Sequence, residues 1–168
     1  MIIRPEQWLS PPDLDRNGLL KAWVIDGNTE FPIPIETHNV DQEDVLLSQD
    51  QGFELILECA EKPDVYQDAD AFLKGNEHHS LAPESVIPIG LFSPPENARI
   101  LLNGVVARTY PDPADYGFEE DDILLTISCL GNRYDIVLPA AFADGVTIYE
   151  GNTVSCVYWV QGWPERSG

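Results

Sequence analysis

The stretch Asp122-Ile-Leu-Leu-Thr-Ile-Ser-Cys129-Leu-Gly-Asn-Arg-Tyr134-Asp-Ile-Val-Leu138 decides the fold class. Ile123, Leu125, Ile127 and Cys129 recur every second residue, the period of a strand that buries one face. Gly131-Asn132 then interrupts the run before Tyr134 to Leu138 resumes it. Two strand-like runs around a Gly-Asn pair predict a β-hairpin, Asp122 to Cys129 against Tyr134 to Leu138.

Working outward, Ala98 to Thr109 predicts a long strand whose central Gly104 relaxes a bend or bulge. Downstream, Pro139 to Asp144 with Gly145 allows one helical turn, Val146 to Tyr149 predicts a short strand, and Glu150-Gly151-Asn152 turns into a last strand, Thr153 to Gln161. This order resembles the five-stranded barrel of the OB fold over roughly residues 96 to 163. The resemblance is architectural and rests on no sequence motif. It implies a barrel that serves many different ligands, an OB-type ligand-binding module being one functional expectation.

The first half divides into shorter pieces. Leu19 to Ile25 ends at the turn Asp26-Gly27-Asn28, and the prolines of Phe31-Pro-Ile-Pro-Ile35 confine that extended segment to an edge or a loop. Val40 to Gln49 has room for a short helix. Phe53 to Cys59 places Phe53, Leu55, Leu57 and Cys59 on one side of a strand, with Glu54 and Glu58 on the other. Asp64 to Lys74 predicts a helix closed by Gly75 as its cap. A proline-punctuated connector, Pro83 to Pro95, follows. The expectation is a mainly β, α+β protein: one compact unit over 1-168, with a possible subdivision into a mixed part with one or two short helices (1-95) and a barrel-like part (96-168).

Composition bounds the function. The 168 residues include 29 acidic and 9 basic ones, a formal charge of −20, with 18 acidic and 5 basic in residues 1 to 95 and 11 and 4 in residues 96 to 168. Such a field repels nucleic acid phosphates and anionic lipid and attracts a basic surface. No apolar run approaches the ~20 residues of a membrane helix, and no signal-peptide pattern opens the chain. Three widely spaced cysteines suit a reducing compartment better than a disulfide framework. A soluble cytoplasmic protein of bacterial type is the expectation.

Motifs for chemistry are incomplete. Asp13, Asp15, Asn17 and Gly18 match the opening of a calcium loop, but its twelfth position is Val24 where a bidentate glutamate belongs, and Pro11-Pro12 precludes the entering helix. A turn at Asn17-Gly18 is the better reading. His78-His79 has no second ligand pair to complete a metal site, and no nucleophile elbow or phosphate-binding glycine loop is present. Cys59, Cys129 and Cys156 fall on apolar phases and read as inert core thiols. No cofactor is implied.

One segment stands apart. Asp112, Asp115, Glu119, Glu120, Asp121 and Asp122 interleave with Tyr110, Tyr116 and Phe118 in the loop between the first two strands of the second half. Aromatics beside mutually repelling carboxylates describe an anchor for an Arg/Lys surface as well as a solvated connector. Trp159 and Trp163, out of phase with the apolar set of the last strand, are further candidates for partner contact. The preferred expectation is a non-catalytic acidic binding protein for a basic protein partner, in an inhibitor or immunity-type role. A hydrolase with a carboxylate-lined or metal-assisted site is the alternative.

Overall fold

The computed structural model describes residues 1–78 and 81–166. Over these residues the fold is mainly β: ten strands in mixed pairing and two short helices. Contacts divide it into two units, each drawing on several stretches of chain: unit 1 holds 1–56, 88–100 and 159–168, and unit 2 holds 57–87 and 101–158.

Unit 1 is built on β1 (Ile2–Ser10), β2 (Gly18–Val24) and β3 (Phe31–Thr37), paired antiparallel in that order. The first part of β4 (Gln51–Cys59) joins β1, where Ile2 faces Gly52. Every second residue of β2, Leu20, Ala22 and Val24, is fully buried with Ile33 and Ile35, the pleat alternation of a half-buried strand. Pro32 and Pro34 lie in β3 without amide hydrogens to give a second neighbour. Accordingly the end of β10 (Thr153–Pro164) pairs with β3 only beyond them, in parallel, at Glu36 and Thr37. The prolines restrict one edge without excluding the segment from the sheet.

The helix expected over Val40 to Gln49 does not form. Only a 3-10 turn, Gln42–Asp44, appears there, and Val40 and Val45 enter the core from irregular backbone. Asp41 offers no side-chain cap to that turn, so nothing starts a longer helix.

Unit 2 centres on the hairpin of β8 (Ile123–Cys129) and β9 (Asn132–Leu138), paired without a break from Ile123↔Leu138 to Cys129↔Asn132. The loop is Leu130-Gly131, one residue earlier than the expected Gly-Asn pair, with φ of 50° and 84°. Two positive φ values give the twist that a two-residue hairpin needs. β7 (Arg99–Tyr110) flanks β8, with β6 (Ser85–Ile87) on its other edge. The bulge in β7 falls between Val106 and Arg108, not at Gly104. Gly104 is required for closeness: a methyl there would strike Ile127 and stand 2.8 Å from the Ser128 carbonyl oxygen.

Two further expectations are corrected in unit 2. Asp64 to Lys74 is not one helix: β5 (Asp64–Tyr66) pairs with β10, and α1 (Ala69–Gly75) begins only after Asp68, whose carboxylate accepts the Ala71 amide at 2.8 Å. That cap, rather than the upstream Asp64, sets the helix start. Gly75 is the last helical residue and Asn76 the cap. After α2 (Ala140–Ala143), Val146 to Tyr149 form no strand, so the five-strand order of the OB-like reading lacks its fourth member. No described helix is long and apolar enough to cross a membrane.

Gly104→Ala is expected to destabilise the protein by about 2 kcal/mol, the usual scale of overpacking against neighbours that have little room to retreat. A chemical denaturation midpoint unchanged by the substitution would contradict the close β7–β8 approach.

Candidate functional site

The acidic segment between β7 and β8 is a structured loop. A 3-10 turn, Pro113–Tyr116, closes on Gly117 at φ 84°. Pro113, its first residue, is buried. The Tyr116 ring packs edge-on against Tyr110 with centroids 5.1 Å apart, and the Arg108 guanidinium lies 4.4 Å from the centre of the Tyr110 ring. The Tyr110 hydroxyl meets Thr126 Oγ1 at 3.0 Å, and that hydroxyl also meets Asp135 Oδ1 at 3.0 Å. Thr126 is buried, so this short chain fixes the base of the loop in a setting where hydrogen bonds resist exchange with water.

The six carboxylates separate into two kinds. Asp122 is structural: one oxygen accepts the Glu119 amide at 3.2 Å and the other the Ala140 amide at 3.0 Å, tying the loop to the start of α2. Asp112, Asp115, Glu119, Glu120 and Asp121 are exposed, and no described cation pairs with their side chains. Tyr116 is 53% exposed beside them, and Phe118 is half-buried. The sequence identified the segment but not its supports, because Arg108, Thr126 and Asp135 carry no local signal that distinguishes them from ordinary strand residues.

The other candidates, the histidine pair aside, lie in unit 1. Trp159 is partly exposed, with the Arg99 guanidinium 5.6 Å from its ring centre. Trp163 donates its indole N–H to Glu54 at 2.8 Å and lines a cleft of about 630 Å³. Asp13 closes a tight turn: one carboxylate oxygen accepts the amides of Asp15 and Asn17 at 2.9 and 3.0 Å. Asn17 Oδ1 stands 3.3 Å from His38 Nδ1. These contacts orient the side chains toward backbone and neighbours, in the manner of an Asx turn. His78 is exposed beside Glu77, and His79 lies outside the described residues. Among the described residues, no three His, Cys, Asp or Glu side chains converge as a metal site would require.

The three thiols are buried. Contact with the Cys156 thiol, reinforced by burial, pushes the Cys59 thiol far above the ordinary range. Burial, with the Glu84 charge second, pushes Cys129 from 9.0 up to about 12. Tyr158, fully buried, is also raised, first by burial and then by the three thiols. Thiols so disfavoured as thiolates are poor nucleophiles.

No family model matches the sequence, and no curated protein or solved structure matches the chain.

Two outcomes follow. Tyr110→Phe should lower stability by about 1 kcal/mol through the lost bond to Thr126, measured by denaturant melts; a neutral effect would detach the loop base from that chain. The folded protein holds the Cys129 proton more tightly than the unfolded chain does. Its contribution is therefore intact below pH 9.0 and lost as the pH rises toward about 12. Native protein at neutral pH should leave Cys129 unmodified by iodoacetamide, and a carbamidomethyl adduct in the mass spectrum would show the site to be open.

Proposed function

We propose that this chain is a non-catalytic binding protein that engages a basic protein surface through the loop at residues 110 to 122. The observation that carries the reading is the division of labour within that loop. Its aromatic base and Asp122 are pinned to β7, β8 and α2, whereas five exposed carboxylates have no described cationic partner. Close like charges repel, and an approaching Arg/Lys surface relieves that repulsion while gaining attraction. Tyr116, half-exposed and edge-packed on Tyr110, has the character of an interface anchor: a large amphipathic ring with little rotamer freedom left to lose.

The net charge of −20 acts at longer range. It accelerates encounter with a cationic partner and opposes nucleic acid and anionic membranes. Enzymes that handle nucleic acids present basic substrate surfaces, so an inhibitor or immunity-type role against such an enzyme uses the same complementarity. A cytoplasmic location fits this role and the three unpaired thiols.

The test compares the wild-type chain with a variant carrying D112N, D115N, E119Q, E120Q and D121N, which leaves Asp122 in place. Both serve as baits at low and at physiological ionic strength, with bound proteins identified by mass spectrometry. The expected result is a basic partner that the variant binds at least about tenfold more weakly, a loss of about 1.4 kcal/mol. Its wild-type affinity falls with added salt, and the variant flattens that fall. A partner held equally by both baits, or indifferent to salt, would overturn the reading.

A further inference from the structure

We infer that the cleft beside Trp163 in unit 1 is a binding site for a neutral saccharide. Its volume of about 630 Å³ lies within the range of small-molecule sites. Trp163, Arg16, His38, Asn39, Asp44 and Arg166 are among its walls.

The planar groups in it are held in fixed orientations. Arg16 grips both oxygens of Asp41 at 2.7 and 2.8 Å and gives a third bond to Asn39 Oδ1 at 2.8 Å. His38 sits between Asn17 at 3.3 Å and Glu36 at 3.4 Å. The Gln51 amide accepts from Leu46 N at 2.9 Å and donates to Asp44 O at 2.7 Å. The Glu54 bond fixes the plane of the Trp163 indole. Two of the four non-glycine residues with positive φ among the described residues, Arg16 at 63° and Asn39 at 56°, line this cleft. Such backbone conformations cost energy and collect where a side chain must be aimed.

The charges and the free hydrogen-bonding groups select the ligand. Arg16 is neutralised by Asp41, and Glu165 faces the N-terminal ammonium at 3.4 Å. Asp44 and Arg166 remain, one of each sign, with no ion-pair partner among the described residues. These charges cancel, and the Glu36 and Glu54 carboxylates behind His38 and Trp163 add to the surrounding −20 in opposing an anion. With its oxygen engaged by Arg16, Asn39 presents amide hydrogens. Arg16 keeps a second hydrogen on each terminal nitrogen, and Asp44 supplies an acceptor. Donors and an acceptor around a half-buried indole suit a ligand with hydroxyls at its edge and C–H groups on its face, which is the chemistry of a sugar ring.

The experiment titrates the full chain with N-acetylglucosamine, cellobiose, maltose and lactose, followed by tryptophan emission and calorimetry. Sialyllactose and inorganic phosphate serve as anionic probes. We expect saturable binding of at least one neutral sugar in the millimolar range or tighter. Asn39→Gly keeps the positive φ and removes the amide, and should weaken binding about tenfold at unchanged melting temperature. Trp163→Phe should retain binding, and Trp163→Ala should abolish it. Asn39→Gly decides the matter should Trp163→Ala fail to fold. The proposal is overturned if no neutral sugar gives a saturable response, if the anionic probes bind more tightly, or if Asn39→Gly binds as well as wild type.

Discussion

Twenty-nine carboxylates must be kept in water while a chain of 168 residues buries enough apolar surface to fold. Transferring even one unpaired carboxylate into a core costs more than most single contacts return. Among the described residues no Asp, Glu, Lys or Arg is buried; the polar side chains in the interior are Thr37, Asn103, Thr126, Asn132 and Thr153. A strand meets this constraint directly, because its pleat sends alternate residues to opposite faces. In β4 the acids Glu54 and Glu58 stay out while Phe53, Leu55, Leu57 and Cys59 go in. A register error of one residue in such a strand would bury two carboxylates, so the charge pattern that limits the core also specifies the pairing.

The nine cations are too few to balance this surface, and most are committed locally. Arg4 pairs with Asp50, Arg16 with Asp41 and Lys21 with Glu6, all at 2.7 to 2.8 Å. The Lys21 bond holds the Glu6 carboxyl below its usual range. Arg99 and Arg108 lie over aromatic rings. Exposed pairs of this kind contribute little to stability, but each removes a cation from general neutralisation. Compensation is thus concentrated at a few points in the fold, and among the described residues no cation pairs with the carboxylates of the 110 to 122 loop.

What the sequence revealed depended on how local the cause was. The β8–β9 hairpin was legible because alternation and a turn pair lie within 17 consecutive residues. Even so, Leu130 and Gly131 form the turn, since the Cys129↔Asn132 pairing absorbs Asn132 into the strand. Val146 to Tyr149 has strand-forming composition yet stays irregular; pairing is a tertiary outcome that composition does not secure. The helix expected from Asp64 starts instead after its cap at Asp68; Asp64 to Tyr66 carries both helical and extended possibilities, and the β10 partner that decided between them is about ninety residues away. The acidic loop was recognisable from composition alone. The orientation of its carboxylates was not, because Asp122 differs from Asp121 only through the Glu119 and Ala140 amides it meets.

The same distinction explains why a loop rich in repelling charges is ordered at all. An unsupported segment of this composition would gain by expanding, since conformational entropy and like-charge repulsion act in the same direction. Here Pro113 is buried, Tyr110 is held by Thr126, and Asp122 turns one of the repelling charges into an acceptor for two backbone amides. The remaining carboxylates are therefore displayed from fixed backbone. Under the proposed reading, much of the ordering that a basic partner would otherwise have to impose is already present, and pre-organisation of that kind leaves more of the electrostatic attraction available to binding.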